Sequence, residues 1–95
     1  MPAYVIADVA VTDPALMDEY RKLVPATIAA YGGRFVVRGG AHQKVEGEWS
    51  PSRLVLIEFP TMEQARRWYD SEEYRAPKAM RIKADRTDLV FVEGV

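Results

Sequence analysis

The apolar positions of this chain switch between a period of two and a helical period, and the switches divide it into elements. Ala3 to Val11 is β-branched and apolar, with Asp8 as its one charge, and predicts a strand. Thr12-Asp13-Pro14 then offers polar capping residues, followed by a proline where a first helical turn tolerates one. Leu16, Tyr20, Leu23 or Val24, Thr27 or Ile28, and Tyr31 recur at helical spacing. Pro25 inside that run predicts a kink, or a pair of helices broken near Val24. Gly32-Gly33 is the expected stop. Arg34 to Arg38 predicts a second strand, Gly39-Gly40 a bulge or bend within it, and strand again through Val45. A turn region from Glu46 to Pro51 leads to a third strand, Arg53 to Phe59, which Pro60 ends. Thr61-Met62-Glu63-Gln64 matches a capping box and opens a helix with Met62, Ala65, Trp68 and Tyr69 on its apolar side. Ser71 with Glu72 and Glu73 marks a second helix start, whose Tyr74, Pro77, Met80 and Ala84 share a face, with a bend expected at Pro77. Asp88 to Glu93 predicts the last strand.

The order strand, helix, strand, strand, helix, strand within one 95-residue domain, 1–95, predicts an α+β protein. The pattern is the ferredoxin-like split β-α-β arrangement, a four-stranded antiparallel sheet with helices on one face. Strand side chains alternate, so parity separates the two faces. Val5, Val9, Phe35, Val37, Val55, Ile57 and Phe59, with Val90 and Val92, form one apolar set for the helices to cover. The other set is Tyr4, Ile6, Asp8, Val36, Leu54, Leu56, Leu89 and Phe91, joined by Arg34, Arg38 and Glu58. That second set is too apolar for the open side of a sheet, and it predicts a homodimer in which two sheets pack face to face around a barrel-like core.

Composition narrows the function. Thirteen Lys+Arg against 14 Asp+Glu leave a net charge of −1, without the basic field that nucleic acid or an anionic membrane requires. The first eleven residues read as a strand and not as a targeting leader, and no apolar run approaches the ~20 residues of a membrane span. A cytoplasmic location is the expectation. With no cysteine and one histidine, thiol nucleophiles, thiolate metal sites and multi-histidine metal sites are excluded, and no cofactor or metal is expected. No nucleotide-binding glycine motif and no Gly-x-Ser-x-Gly motif is present.

An ordered set of fragments adds a resemblance. Tyr31-Gly32-Gly33-Arg34-Phe35, Arg38-Gly39-Gly40, Glu46-Gly47-x-Trp49-x-Pro51-x-Arg53, Ile57-Glu58-Phe59-Pro60, Trp68-Tyr69-x-Ser71-x-Glu73-Tyr74, Arg81 and Val92-Glu93-Gly94 resemble the bacterial family called domain of unknown function 1330. The resemblance covers nearly the whole chain and implies a ferredoxin-like fold of the dimeric α+β barrel superfamily. That superfamily holds small cofactor-free oxygenases, isomerases, dehalogenase-like enzymes and binding proteins. His42 lies outside the matching fragments.

Candidate chemistry centres on the second sheet face. Asp8, Arg34, Arg38 and Glu58 fall on neighbouring strands and by parity point one way, unless a bulge intervenes. They form either an ion-pair network that sets the register of a dimer, or a polar pocket in which Arg34 and Arg38 hold the oxygens of a ligand while Asp8 or Glu58 moves a proton. His42 is the one side chain that ordinarily titrates near neutrality, and is a third acid/base candidate. Tyr69 and Tyr74 belong to an aromatic-rich helical layer with Tyr20, Tyr31 and Trp68; that layer is core, or its hydroxyls rim a cavity and orient a substrate. Trp49 and Arg53 are a candidate cation–π pair. Two functional classes follow: a cofactor-free enzyme acting on a small organic acid or aromatic compound by proton transfer or oxygenation, and a non-catalytic dimer that binds a small metabolite. A purely structural dimer is the third.

Overall fold

Seven elements follow one another in the structure, a computed structural model that describes residues 1–95: β1 (Ala3–Val11), α1 (Pro14–Ala30), β2 (Arg34–Arg38), β3 (Leu54–Phe59), α2 (Met62–Tyr69), α3 (Glu72–Ala84) and β4 (Asp85–Glu93). The strands form one antiparallel sheet in the order β2-β3-β1-β4, the ferredoxin-like arrangement. Caps set the helix starts as the sequence predicts. Asp13 accepts from the Leu16 amide at 3.1 Å, Thr61 from Gln64 at 3.1 Å, and Ser71 from Tyr74 at 3.1 Å. The capping box at Thr61 is only half used, because the Gln64 side chain donates to the Tyr31 carbonyl at 3.0 Å and ties α2 to the end of α1. After α1, Gly32 takes φ +77, and the amides of Gly32 and Gly33 return to the carbonyls of Ala29 and Ile28. That pattern closes the helix and aims the chain into β2.

Four expectations are corrected. α1 is one helix through Pro25 and not a broken pair. Proline removes the donor for the carbonyl four residues earlier, that of Arg21, but Arg38 Nη2 donates to this carbonyl at 3.2 Å and replaces the missing bond. Residues 39–53 form an irregular loop and not a strand through Val45; Gly39, at φ +70, turns the chain out of the ladder. β4 starts at Asp85 and not Asp88, directly at the end of α3. Its faces are also exchanged relative to the parity assignment. Phe91 pairs with Val5 and Leu89 with Ala7, so Leu89 and Phe91 lie under the helices while Val90 and Val92 face outward. Alternation in a doubly apolar strand leaves both phases open, and only the register decides between them.

The fourth correction matters most for the site. The β2–β3 ladder slips between Phe35 and Val37, a bulge within the strand and ahead of Gly39-Gly40. Arg34 pairs with Glu58 on the outer face, but beyond the slip Val37 pairs with Leu56 and Arg38 with Val55. Directly opposed residues share a face, so Val37 turns outward and Arg38 turns toward the helices.

The core lies between the sheet and the helices. Val5, Ile57 and Phe59 meet Val24, Ile28, Ala65, Trp68 and Tyr74, with Trp68 stacked on Tyr74 at 4.2 Å between ring centres. The Trp68 indole donates to Thr27 Oγ1 at 3.0 Å, which satisfies its one polar atom inside the core.

Candidate functional site

On the outer face Glu58, Arg34 and Asp8 are satisfied by their neighbours, while Asp88, opposite Asp8 on β4, and Arg86 of the same phase make no side-chain bond. Glu58 accepts from the Tyr4 hydroxyl at 2.9 Å and from Arg34 Nε and Nη2 at 3.0 Å each, all three residues being cross-strand neighbours. Those bonds, the Tyr4 one foremost, hold the Glu58 carboxyl below the usual carboxylate range. Asp8 accepts from the Trp49 indole at 3.0 Å and from the Ser52 amide at 2.9 Å, and these donors lower its carboxyl likewise. His42 Nε2 bonds the Pro51 carbonyl at 2.9 Å across the same loop, and a carbonyl can only accept, so the proton sits on that nitrogen. Asp8 thus ties the 39–53 loop to the end of β1, and His42 closes the loop on itself. The expected Trp49–Arg53 cation–π pair does not form, because the indole is held on Asp8.

A different set of polar groups lies under the helices. An internal cavity with about 50 Å³ open to the centres of water-sized molecules separates the sheet from α1 and α3, enough for a few waters at about 10–15 Å³ each. Twelve of its 18 lining residues are hydrophobic, Tyr20 and Tyr74 among them, and its polar groups, the two tyrosine hydroxyls included, fall into two sets. On the β2–β3 side are Arg38, Arg53 and, from α1, Arg21. The Arg38 guanidinium lies 4.4 Å over the Phe35 ring. Burial, together with the neighbouring Arg21 and Arg38 charges, pulls Arg53 below its ordinary value. The one carboxylate on this group is Asp18, 3.2 Å from Arg21 Nη1.

On the β4 side are Tyr20, Tyr74, Arg81, Asp85 and Thr87. The Tyr20 and Tyr74 hydroxyls share a 2.8 Å hydrogen bond, Arg81 Nε donates to Tyr74 at 3.1 Å, and Thr87 Oγ1 donates to Asp85 Oδ1 at 2.6 Å. Arg81 Nη1 stands 3.9 Å from the same Asp85 oxygen. Burial raises both phenols well above the ordinary tyrosine value, so both are neutral hydrogen-bonding groups at pH 7. Two buried side-chain polar atoms in the protein lack a partner, Arg21 Nε and Asp85 Oδ2, and both residues line this cavity. Each such atom costs about 1–3 kcal/mol when left unsatisfied. A spare donor on one side and a spare acceptor on the other leave bonding capacity that water or a polar ligand in the cavity would take up.

The residues singled out in the sequence are therefore divided. The structure joins Arg34 to Glu58 and sets Asp8 beside the loop that carries His42, all away from the helices. It brings Arg38 and Tyr74 to the cavity. Tyr69 packs behind Tyr74, with Phe91 edge-on at 5.8 Å and Lys78 Nζ 4.3 Å from its ring centre, outside the cavity lining. Arg21, Arg53, Arg81 and Asp85 were not candidates. Asp85 and Thr87 share the phase of Leu89 and Phe91, so polar residues continuing an inward apolar phase were the available signal.

A four-stranded antiparallel sheet with its helices on one face defines the class, the ferredoxin-like α+β proteins. Within that class the chain belongs to the family described as domain of unknown function (DUF1330), which matches residues 2–95. No curated protein matches it significantly in sequence. Solved structures share the fold at low identity. A protein of unknown function from Rhodopseudomonas palustris is 14% identical with a TM-score of 0.79, over 99% of this chain and 82% of that one. SnoaB, a cofactor-independent oxygenase from Streptomyces nogalater, is 11% identical with a TM-score of 0.67, over 99% and 93%. A dimeric protein of unknown function and ferredoxin-like fold from Bacteroides fragilis is 15% identical with a TM-score of 0.62, over 98% and 96%. No helix of this chain is long and apolar enough to cross a membrane.

Proposed function

We propose that the protein is a homodimer that binds a small organic acid in the cavity under its helices and acts on it by proton transfer without a cofactor. The observation that carries this reading is the Arg21–Arg38–Arg53 group, three guanidiniums with one carboxylate among them at one side of an apolar chamber. Like charges are gathered there at a cost that a bound anion would repay, and guanidinium forks match carboxylate oxygens. Arg38 and Tyr74 are substrate-binding residues in this reading. Asp8, Glu58, His42 and Arg34 hold the loop and the outer face, and Tyr69 supports Tyr74.

Dimerisation is supported by the outer face itself. Ile6 sits between Leu56 and Val90, and Tyr4 beside Val92, in an apolar row where Val36, Val90 and Val92 are each about half exposed in the isolated chain. A dimeric protein among the structures of the same fold agrees with it. Oxygenation is the second reading of the chemistry, favoured by the fold shared with SnoaB.

A thermal-shift screen of small carboxylic acids, followed by light scattering, tests the reading. Stabilisation by carboxylates but not by their amides, lost in Arg38→Met, is the expected result, together with a dimer mass. Equal response to acids and amides, or an unaltered Arg38→Met variant, would refute the anion site. Oxygen uptake with a stabilising acid would move the chemistry from proton transfer to oxygenation.

A further inference from the structure

We infer that Asp85 is the group that accepts the proton, and that the substrate is an oxo acid whose carbonyl lies several bonds from its carboxylate; this rests on the anion site proposed above. Asp85 is the last helix-to-strand junction residue, its backbone amide bonded to the Arg81 carbonyl and its own φ and ψ already extended. Its side chain is 1% exposed, so the carboxylate has no solvent to share its charge. Thr87 and Arg81 both address Oδ1, which leaves Oδ2, on a residue that lines the cavity, without a partner. A carboxylate fixed through one oxygen, with the other unengaged and shielded from water, is arranged as a base.

The ligand's dimensions follow from the sheet. Arg53 immediately precedes β3 and Asp85 begins β4, with β1 between them, a lateral separation of two strand spacings or about 10 Å. Arginine side chains reach inward and shorten this, but a carboxylate held on the arginine side still needs a spacer of a few atoms to bring a carbon to Asp85. The electrophilic partner is at hand. Arg81, with its Nε on the Tyr74 hydroxyl, stands beside Asp85 and lines the same cavity.

The step is an enolisation. Asp85 Oδ2 takes a proton from the carbon next to the carbonyl, so a C–H bond breaks and an O–H bond forms. The electron pair becomes the C=C bond of an enolate whose negative charge rests on the carbonyl oxygen beside the Arg81 guanidinium. Return of a proton to the same carbon restores the ketone, and Asp85 as carboxylate, with nothing oxidised or reduced.

The probe is 4-oxopentanoate in deuterium oxide, with binding followed by saturation transfer and exchange by proton NMR. Wild-type protein is expected to bind it and to place deuterium beside the ketone faster than buffer does. Asp85→Asn keeps the shape of the side chain, and is expected to retain binding while exchange falls by about 100-fold or more. Where that variant does not fold, Thr87→Val decides, since it leaves the carboxylate but removes the hydroxyl that holds it; slower exchange at unchanged binding supports the assignment, and unchanged exchange overturns it. Binding without exchange by the wild type, or exchange that survives in Asp85→Asn, overturns the role of Asp85 and leaves the anion site standing. Absence of binding, or binding indifferent to Arg38→Met, overturns the anion site and this inference with it.

Discussion

The two faces of the sheet hold similar kinds of residue in opposite states. On the outer face, Arg34, Glu58 and Tyr4 satisfy one another and Asp8 is filled by Trp49 and Ser52, so these four residues form closed sets. On the helix face, Arg21 Nε and Asp85 Oδ2 have no partner, and of the three guanidiniums Arg21, Arg38 and Arg53 only Arg21 has a carboxylate beside it. A closed network in an apolar field does the work of register and shape. An open one keeps bonding capacity in reserve, at a cost in stability, and reserve capacity inside a cavity is what a ligand uses. Charge alone did not distinguish the two faces; hydrogen-bond completion did.

Four substitutions or titrations press on this contrast. Leu56→Asp in the outer apolar row has the largest expected effect, since each copy in a symmetric dimer would bury a charge at a cost of at least about 2 kcal/mol. Light scattering should read a monomer, and a dimer that survives would place the interface elsewhere. Arg53→Met should come next, splitting stability from binding. Removing one of three like charges leaves the melting temperature unchanged or higher, within about 0.5 kcal/mol, while carboxylate binding weakens by about tenfold or more. A variant that melts lower and still binds would show Arg53 to be a structural residue.

Acid titration is a subtler probe of the closed face. Because the folded protein holds the Asp8 carboxyl below its ordinary 3.8, the stability it contributes is present above that value and is lost only as pH falls through the lower folded value. The Trp49 indole proton should therefore change its chemical shift with a midpoint below 3.8. A transition complete above 3.8 would contradict the bond. Glu58→Gln should be the mildest change, since Tyr4 and Arg34 keep an acceptor; a small loss of melting temperature with unaltered ligand binding is the expected pair of results.

Much of the fold was legible because local signals agreed with it. Asp13-Pro14, Thr61 and Ser71 announced the helix starts, Gly32-Gly33 the helix stop, and the strand order emerged from element order alone. The candidate site was less legible, for two physical reasons. A bulge of one residue near Val36 turned Arg38 from the face of Arg34 to the other, and nothing in Arg34-Phe35-Val36-Val37-Arg38 marks it. Val90 and Val92 are as apolar as Leu89 and Phe91, so the phase of β4 came from pairing with β1 and not from composition. Asp85 and Thr87 then lay inward, where a polar residue contradicts the pattern that a fold would choose for stability. Pro25 illustrates the same limit, since the carbonyl that proline leaves free in its helix is met by a distant residue, Arg38.

Arg34 and Arg38, four positions apart on one strand, carry the central claim in its sharpest form. Calorimetric titration of 4-oxopentanoate, or of the best carboxylate from a thermal-shift screen, into Arg34→Met and Arg38→Met compares the closed face with the open one directly. The account predicts that Arg34→Met binds as the wild type does and that Arg38→Met loses about tenfold or more in affinity. Loss of binding in Arg34→Met with full binding in Arg38→Met would place the ligand on the outer face and contradict the account.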